Sequence, residues 1–160
     1  MNKFLIKKFN EELTKKKVTI ACAESITAGL LASSIASRIG ASSILKGSIV
    51  TYNKELKIKV LGVKEDTINV YTPESVETTK EMVKGLSNLK LDAQIYVAVT
   101  GVASPSTENY EVNKEIGQIY VEIIYNDKPY SYNEIMDSKE RNKIRKLAVK
   151  FILQKILDIL

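Results

Sequence analysis

The amino-acid sequence predicts an α/β fold, a three-layer α/β/α sandwich around a mainly parallel, mixed sheet of about five strands. Three features predict it. Apolar runs of strand length, at 18–23, 48–52 and 93–100, alternate with longer segments of helical periodicity, the pattern of a parallel sheet covered on both faces. Two further strand runs, 116–125 and 130–136, are joined by Asn126-Asp127-Lys128-Pro129, a hairpin turn that adds an antiparallel member. No linker, repeat or low-complexity segment breaks this order, so residues 1–160 are expected to form one domain, long enough to bury a core.

The elements follow from local composition. Residues 2–16 place Leu5, Phe9 and Leu13 four apart, one face of an amphipathic helix. Residues 18–23 are a buried strand, broken by the polar turn Glu24-Ser25-Ile26-Thr27. A helix over 28–39 would put Leu31, Ala32, Ile35 and Ile39 on one face, with Gly40 as its stop. Residues 48–52, behind Gly47, read as a strand. Residues 53–63 read two ways. Leu56, Ile58 and Val60 alternate with Lys57 and Lys59 as in a strand, whereas Asn53 as a cap, Glu55 in the first turn and Gly62 as a stop suit a short helix. Thr72-Pro73-Glu74 supplies a cap, a first-position proline and a first-turn acid, predicting a helix from there to Ser87. The strand at 93–100 is stopped by Gly101, and 104–114 is a polar loop. From Ser138 a long helix carries Ile144, Leu147, Ala148, Phe151, Ile152 and Ile156 on one face, and its apolar surface predicts a homodimer.

Composition narrows the function. Apolar residues make up 44% and charged residues 27%, the balance of a soluble globular chain. No run approaches the ~18 apolar residues of a membrane span, and residues 1–10 lack the apolar core of a signal peptide. The lone cysteine, Cys22, lies inside an apolar strand, so no disulfide forms within the chain. The expectation is a protein of the reducing cytoplasm with no membrane partner. The net charge of +5 gathers at Lys7-Lys8, Lys15-Lys16-Lys17 and residues 139–146. Aromatic residues are not interleaved with these lysines and no reading motif is present, which argues for solvated helix faces rather than a nucleic-acid surface. A small phosphorylated substrate also suits a mildly basic chain.

The chain contains no histidine. That removes Ser-His-Asp catalysis, histidine metal sites and histidine acid–base chemistry together. A thiol on a buried strand is poorly placed as a nucleophile, and glycine-rich phosphate loops of the Walker or Rossmann type are absent. What remains is a hydroxyl activated by another base. Lysine serves in that role because a desolvated ammonium gives up its proton more readily. Ser25 and Thr27 carry hydroxyls in a strand-to-helix turn, where free backbone N–H groups favour anions. Either could instead cap the helix that follows, and Thr27 is the better cap candidate.

At several places, in one order, the residues resemble the CinA C-terminal family. Ala23-Glu24-Ser25-Ile26-Thr27-Ala28-Gly29 is similar to its A-E-S-C-T-G-G motif. Residues 47–57, Gly-Ser-Ile-Val-Thr-Tyr-Asn-Lys-Glu-Leu-Lys, resemble its segment carrying a tyrosine, an asparagine and a lysine, and Leu61-Gly62-Val63 matches its L-G-V. Thr100-Gly101-Val102-Ala103-Ser104-Pro105 resembles T-G-I-A-G-P, and Lys114 to Gly117 stand where the family has K-P-V-G. Glu140-Arg141 with Ile144-Arg145 resembles G-D-R-x-x-V-R. The resemblance implies an amidohydrolase that converts nicotinamide mononucleotide to the nicotinic acid mononucleotide and ammonia, with no metal or organic cofactor. It implies Ser25 as nucleophile, Lys57 as its base and Tyr52 as a third catalytic residue. Glu24, Thr27, Thr100, Gly101 and Arg141 would bind substrate, and residues 53–63 would be a short helix. Oxyanion stabilisation is expected from N–H groups at the turn into the 28–39 helix.

The sequence departs from the family pattern in three places. Ile26 stands where the family has a cysteine. Ala28 stands where the family has a glycine. Between 101 and 117, Ser104 replaces a glycine, the glycine-rich stretch after the proline is gone, and Glu115-Ile116 replace proline-valine. Two other readings stay open: a non-catalytic nucleotide-binding or protein-interaction module, and, on the strength of that drift, an amidase of another small amide.

Overall fold

The computed structural model describes residues 2–108 and 110–160. Asn2 caps the first helix, α1 (Lys3–Lys16), by accepting the Phe4 and Leu5 N–H groups. Strand β1 (Ile20–Glu24) follows and is buried at every residue. Helix α2 (Leu30–Ala36) leads to β2 (Leu45–Val50), then three helices, α3 (Lys54–Leu61), α4 (Glu65–Tyr71) and α5 (Val76–Asn88), precede β3 (Ile95–Gly101). Strands β4 (Gln118–Tyr125) and β5 (Lys128–Ile135) form a hairpin, and α6 (Arg141–Ile159) closes the chain. The hairpin turn holds Asn126 and Asp127 at φ of 51° and 60°, the left-handed pair that matches strand twist.

The five strands lie in the order β2-β1-β3-β4-β5. β1 is parallel to both its neighbours, whereas β3–β4 and β4–β5 are antiparallel. Strand alternation divides the core. Ile20 and Cys22 join one cluster with Phe9, Leu13, Ile35, Ile144 and Ile152, under α1, α2 and α6. Ala21 and Ala23 join a second, smaller cluster with Leu61, Ile68, Met82 and Leu86, under α3, α4 and α5. The small alanines let the second helical layer lie close. Gly85 does the same between helices: a Cβ there would sit 1.8 Å from the Leu61 carbonyl oxygen, so only glycine lets α5 meet the end of α3.

The connections around β1 place the site. The chain leaves β1 through α2 to reach β2 on one side, and later returns through α3–α5 to β3 on the other. The carboxyl end of β1 is therefore a topological switch point, where adjacent connections part and open a crevice.

Several local expectations are revised. Residues 53–63 are the helix α3, capped by Asn53, which accepts the Leu56 N–H at 2.9 Å. The helix expected over 28–39 runs only from Leu30 to Ala36, and Ile39, expected inside, is fully exposed. Thr72 does not start a helix. It follows α4, an element the sequence did not announce, with a φ of 75°. Its carbonyl accepts the Ser75 and Thr78 hydroxyls, and Ser75 becomes the cap of α5. No helix among the described residues is long and apolar enough to cross a membrane.

Candidate active site

The last residue of β1 and the first of the turn point to different layers. Glu24 continues the alternation of Ile20 and Cys22 toward α2, and is completely buried. Its Oε2 accepts the Thr27 hydroxyl at 2.7 Å and the Gly29 and Leu31 N–H groups at 2.9 and 3.0 Å. Its Oε1 accepts the Ala32 N–H and the Ser48 hydroxyl, each at 2.9 Å. A buried carboxylate thus caps α2 from the preceding strand, and the charge suits the positive helix end. The sequence expected Glu24 and Thr27 at the substrate; the structure turns both away from the crevice, because the N-terminal donors of α2 draw them inward.

Ser25, one residue on, faces the other layer. Its N–H donates to the Val99 carbonyl at 3.0 Å, which fixes the turn to β3. Its hydroxyl oxygen accepts a hydrogen bond from Lys57 Nζ at 3.0 Å. Lys57 is 1% exposed, and the same Nζ donates to the Thr51 carbonyl at 2.8 Å. Three elements make this contact: the β1 turn carries Ser25, the end of β2 supplies Thr51, and α3 reaches back across both. The Thr51 N–H in turn donates to the Glu24 carbonyl at 2.9 Å, which ties the two strand ends together. Burial lowers the Lys57 ammonium from its ordinary 10.5 to about 8, against an opposing pull from the Glu74 carboxylate.

Ser25 opens onto a cavity of about 540 Å³, lined also by Tyr52, Glu74, Gly101, Tyr110 and Arg141. Arg141, at the start of α6, donates to the Ser104 hydroxyl at 2.8 Å and to the Tyr52 hydroxyl. The Tyr52 hydroxyl is therefore engaged with Arg141, and Tyr52, 53% exposed, stands on the cavity wall. Gly101 lines the cavity where a Cβ would lie 2.5 Å from the Gln118 carbonyl and 3.0 Å from Ile26 Cδ1. Thr100 does not reach the cavity. Strand alternation turns it under α5, fully buried, with its hydroxyl 2.8 Å from that of Thr79.

The backbone donors also differ from expectation. The N-terminal N–H groups of α2 are consumed by Glu24, and the Ala28 and Leu30 N–H groups bond to the Ser25 and Thr27 carbonyls. The Ile26 and Thr27 N–H groups have no acceptor among the described residues. Ala28, at a φ of 47°, and Gly29, at 87°, are both left-handed and turn the chain sharply into α2. From α6, Arg145 donates to the Thr27 carbonyl at 2.9 Å and holds this bend.

Two cavity residues escaped the sequence reading. In the sequence Glu74 reads as a helix-start acid, and Tyr110 lies in a polar loop with no motif. The Tyr110 hydroxyl donates to Glu74 at 2.6 Å. Lys114 anchors the loop by donating to the Tyr71 and Glu74 carbonyls. Their proximity is a product of the α4–α5 link, which the sequence did not announce.

A model of the CinA C-terminal domain matches residues 2–160. The chain belongs to that family. Among its relatives, a protein of Mycoplasma pneumoniae called Protein MG115 homolog is 39% identical over 150 residues, covering 94% of this chain and 93% of that one. A CinA-like protein of Petrotoga mobilis is 36% identical over 147 residues, 92% of this chain but 36% of that one. The chain thus spans nearly all of the first and about a third of the second. Among solved structures, the competence or damage-inducible protein of Enterobacter asburiae superposes with a TM-score of 0.87 over 97% of this chain and 95% of that one, at 22% identity. The five-stranded mixed α/β architecture is shared with these family structures.

Proposed function

We propose that this chain is an amidohydrolase of nicotinamide mononucleotide that uses Ser25 as nucleophile and Lys57 as general base. The observation that carries the reading is the 3.0 Å contact between a buried lysine and a serine hydroxyl at the mouth of a cavity. A lysine lowered to about 8 is neutral in a useful fraction near neutral pH and can accept the serine proton.

In this mechanism neutral Lys57 takes the Ser25 proton while Oγ bonds to the carboxamide carbon. The oxyanion that forms is held by the Ile26 and Thr27 N–H groups, the donors in the turn left without acceptors. Collapse breaks the C–N bond, and the Lys57 ammonium returns its proton to the departing nitrogen, releasing ammonia. Water, deprotonated by Lys57, then attacks the acyl ester; Ser25 recovers its proton and the acid leaves. Arg141, steadied by Ser104 and Tyr52, takes the 5′-phosphate.

The test is ammonia release from nicotinamide mononucleotide by the purified chain, its Ser25→Ala and its Lys57→Met variants. Each variant is expected to lose at least ~10³-fold in kcat, the scale of losing a nucleophile or its base. Release that survives in Ser25→Ala would overturn the mechanism, and no release by the unmodified chain would overturn the activity.

A further inference from the structure

The cavity contains a pair of side chains that this mechanism leaves idle. Glu74 lines it from the α4–α5 link, and Tyr110 from the 102–117 loop, with the Tyr110 hydroxyl donating to Glu74 Oε1 at 2.6 Å. Burial and the neighbouring carboxylate both push the Tyr110 phenol upward, so it stays a donor and does not neutralise Glu74. Glu74 Oε2 has no partner among the described residues. Lys114 tethers the loop as well, through the Tyr71 and Glu74 carbonyls.

The remaining charged residues of the cavity lining are Lys54 and Arg141, with Lys57 buried behind Ser25. One carboxylate thus stands among cations. A ligand that is only anionic would be attracted by Arg141 and Lys54 but repelled by Glu74. A ligand with a fixed positive charge and a phosphate satisfies both signs at once.

We propose that Glu74, oriented by Tyr110, is a specificity-determining residue that receives the positively charged ring of a pyridinium nucleotide, while Arg141 receives its phosphate. The inference rests on the amidohydrolase reading for the identity of the ring. It has a consequence for the chemistry. The Glu74 charge reaches Lys57 and favours its protonated form, so a cationic ring seated at Glu74 offsets that pull and helps free the base.

The experiment measures equilibrium binding, by calorimetry in a Ser25→Ala background that cannot turn the substrate over, of nicotinamide mononucleotide and of its reduced form, whose ring is uncharged. With Glu74 intact, that background is expected to bind the cationic form about tenfold more tightly, the scale of one partly screened charge pair. Glu74→Gln keeps an acceptor for Tyr110 but loses the charge; it should bring that ratio close to one, chiefly by weakening the cationic form. Arg141→Ala should weaken both forms alike and leave the ratio intact. An unchanged ratio in Glu74→Gln, an equal loss for both forms, or no preference with Glu74 intact would each overturn the proposal. Because binding is read without turnover, a Glu74-dependent preference with no ammonia release would sink the amidohydrolase reading alone. Ammonia release with a preference indifferent to Glu74 would sink this inference alone.

Discussion

The turn that carries Ser25 and the loop that carries Tyr110 face the same cavity, yet they are held in opposite ways. Behind the turn, one buried carboxylate gathers five donors, a backbone N–H bonds to β3, and Arg145 clasps the bend from α6. Nothing there can shift without unpairing groups far from water, which is costly. The loop is attached by side-chain ends: Tyr110 to Glu74, Lys114 to two carbonyls, Arg141 to Ser104. Each of these bonds is near solvent and separately replaceable. The difference teaches how a fixed turn and a replaceable wall can face one cavity. Chemistry needs sub-ångström placement of a nucleophile and its base, whereas a binding wall can be rebuilt one contact at a time.

The sharpest way to break this contrast is Glu24→Ala. It leaves the Gly29, Leu31 and Ala32 N–H groups without their acceptor, and the expected loss is about 3–5 kcal/mol in stability by denaturant titration. Activity should fall with it as the turn loosens. A loss under about 1 kcal/mol would show that the turn is no more rigid than the loop.

A second test sharpens the contrast through pH. In the proposed mechanism neutral Lys57 is the working form, so kcat/KM should rise with pH through about 8 and fall close to tenfold per unit below it. The sign for stability follows from the same lowering. The folded pKa lies below the ordinary 10.5, so charged Lys57 opposes folding below about pH 8, and that penalty fades as pH climbs to 10.5. Lys57→Met should therefore be as stable as the unmodified chain or more so at pH 7, while inactive. An acid limb centred below pH 6 would contradict a buried lysine base.

The smallest effect belongs to the loop. Tyr110→Phe removes one hydrogen bond at a partly solvated carboxylate, and KM should rise about twofold to fivefold with kcat unchanged. A collapse of kcat in steady-state assays would mean that the loop, too, positions the reacting groups.

Much of this was legible from the chain alone. Strand and helix periods, the turn residues at 126–127 and the Asn53 cap are local signals, dictated by neighbours a few residues away, and they specified a mixed α/β sandwich. Ser25 and Lys57 stood out because the absence of histidine narrows the base and a string of motifs carried the family resemblance. What lay beyond reach was decided across distance. Helix α4 begins at a lysine with no capping side chain of its own; Glu81, on α5, supplies the acceptors for the Lys64 N–H and the Thr67 hydroxyl. Glu24 and Thr100 look like ligand-binding polar residues in one dimension, but strand alternation sends both into packed layers. Glu74 and Tyr110, 36 residues apart, meet because α5 folds back beside β3 with α4 packed on it. Local propensity acts over one turn or one strand, so the sequence by itself determined most of the elements and singled out Ser25 as the candidate nucleophile. The partners each polar group finds depend on which layers close over it, and that only the tertiary structure decided.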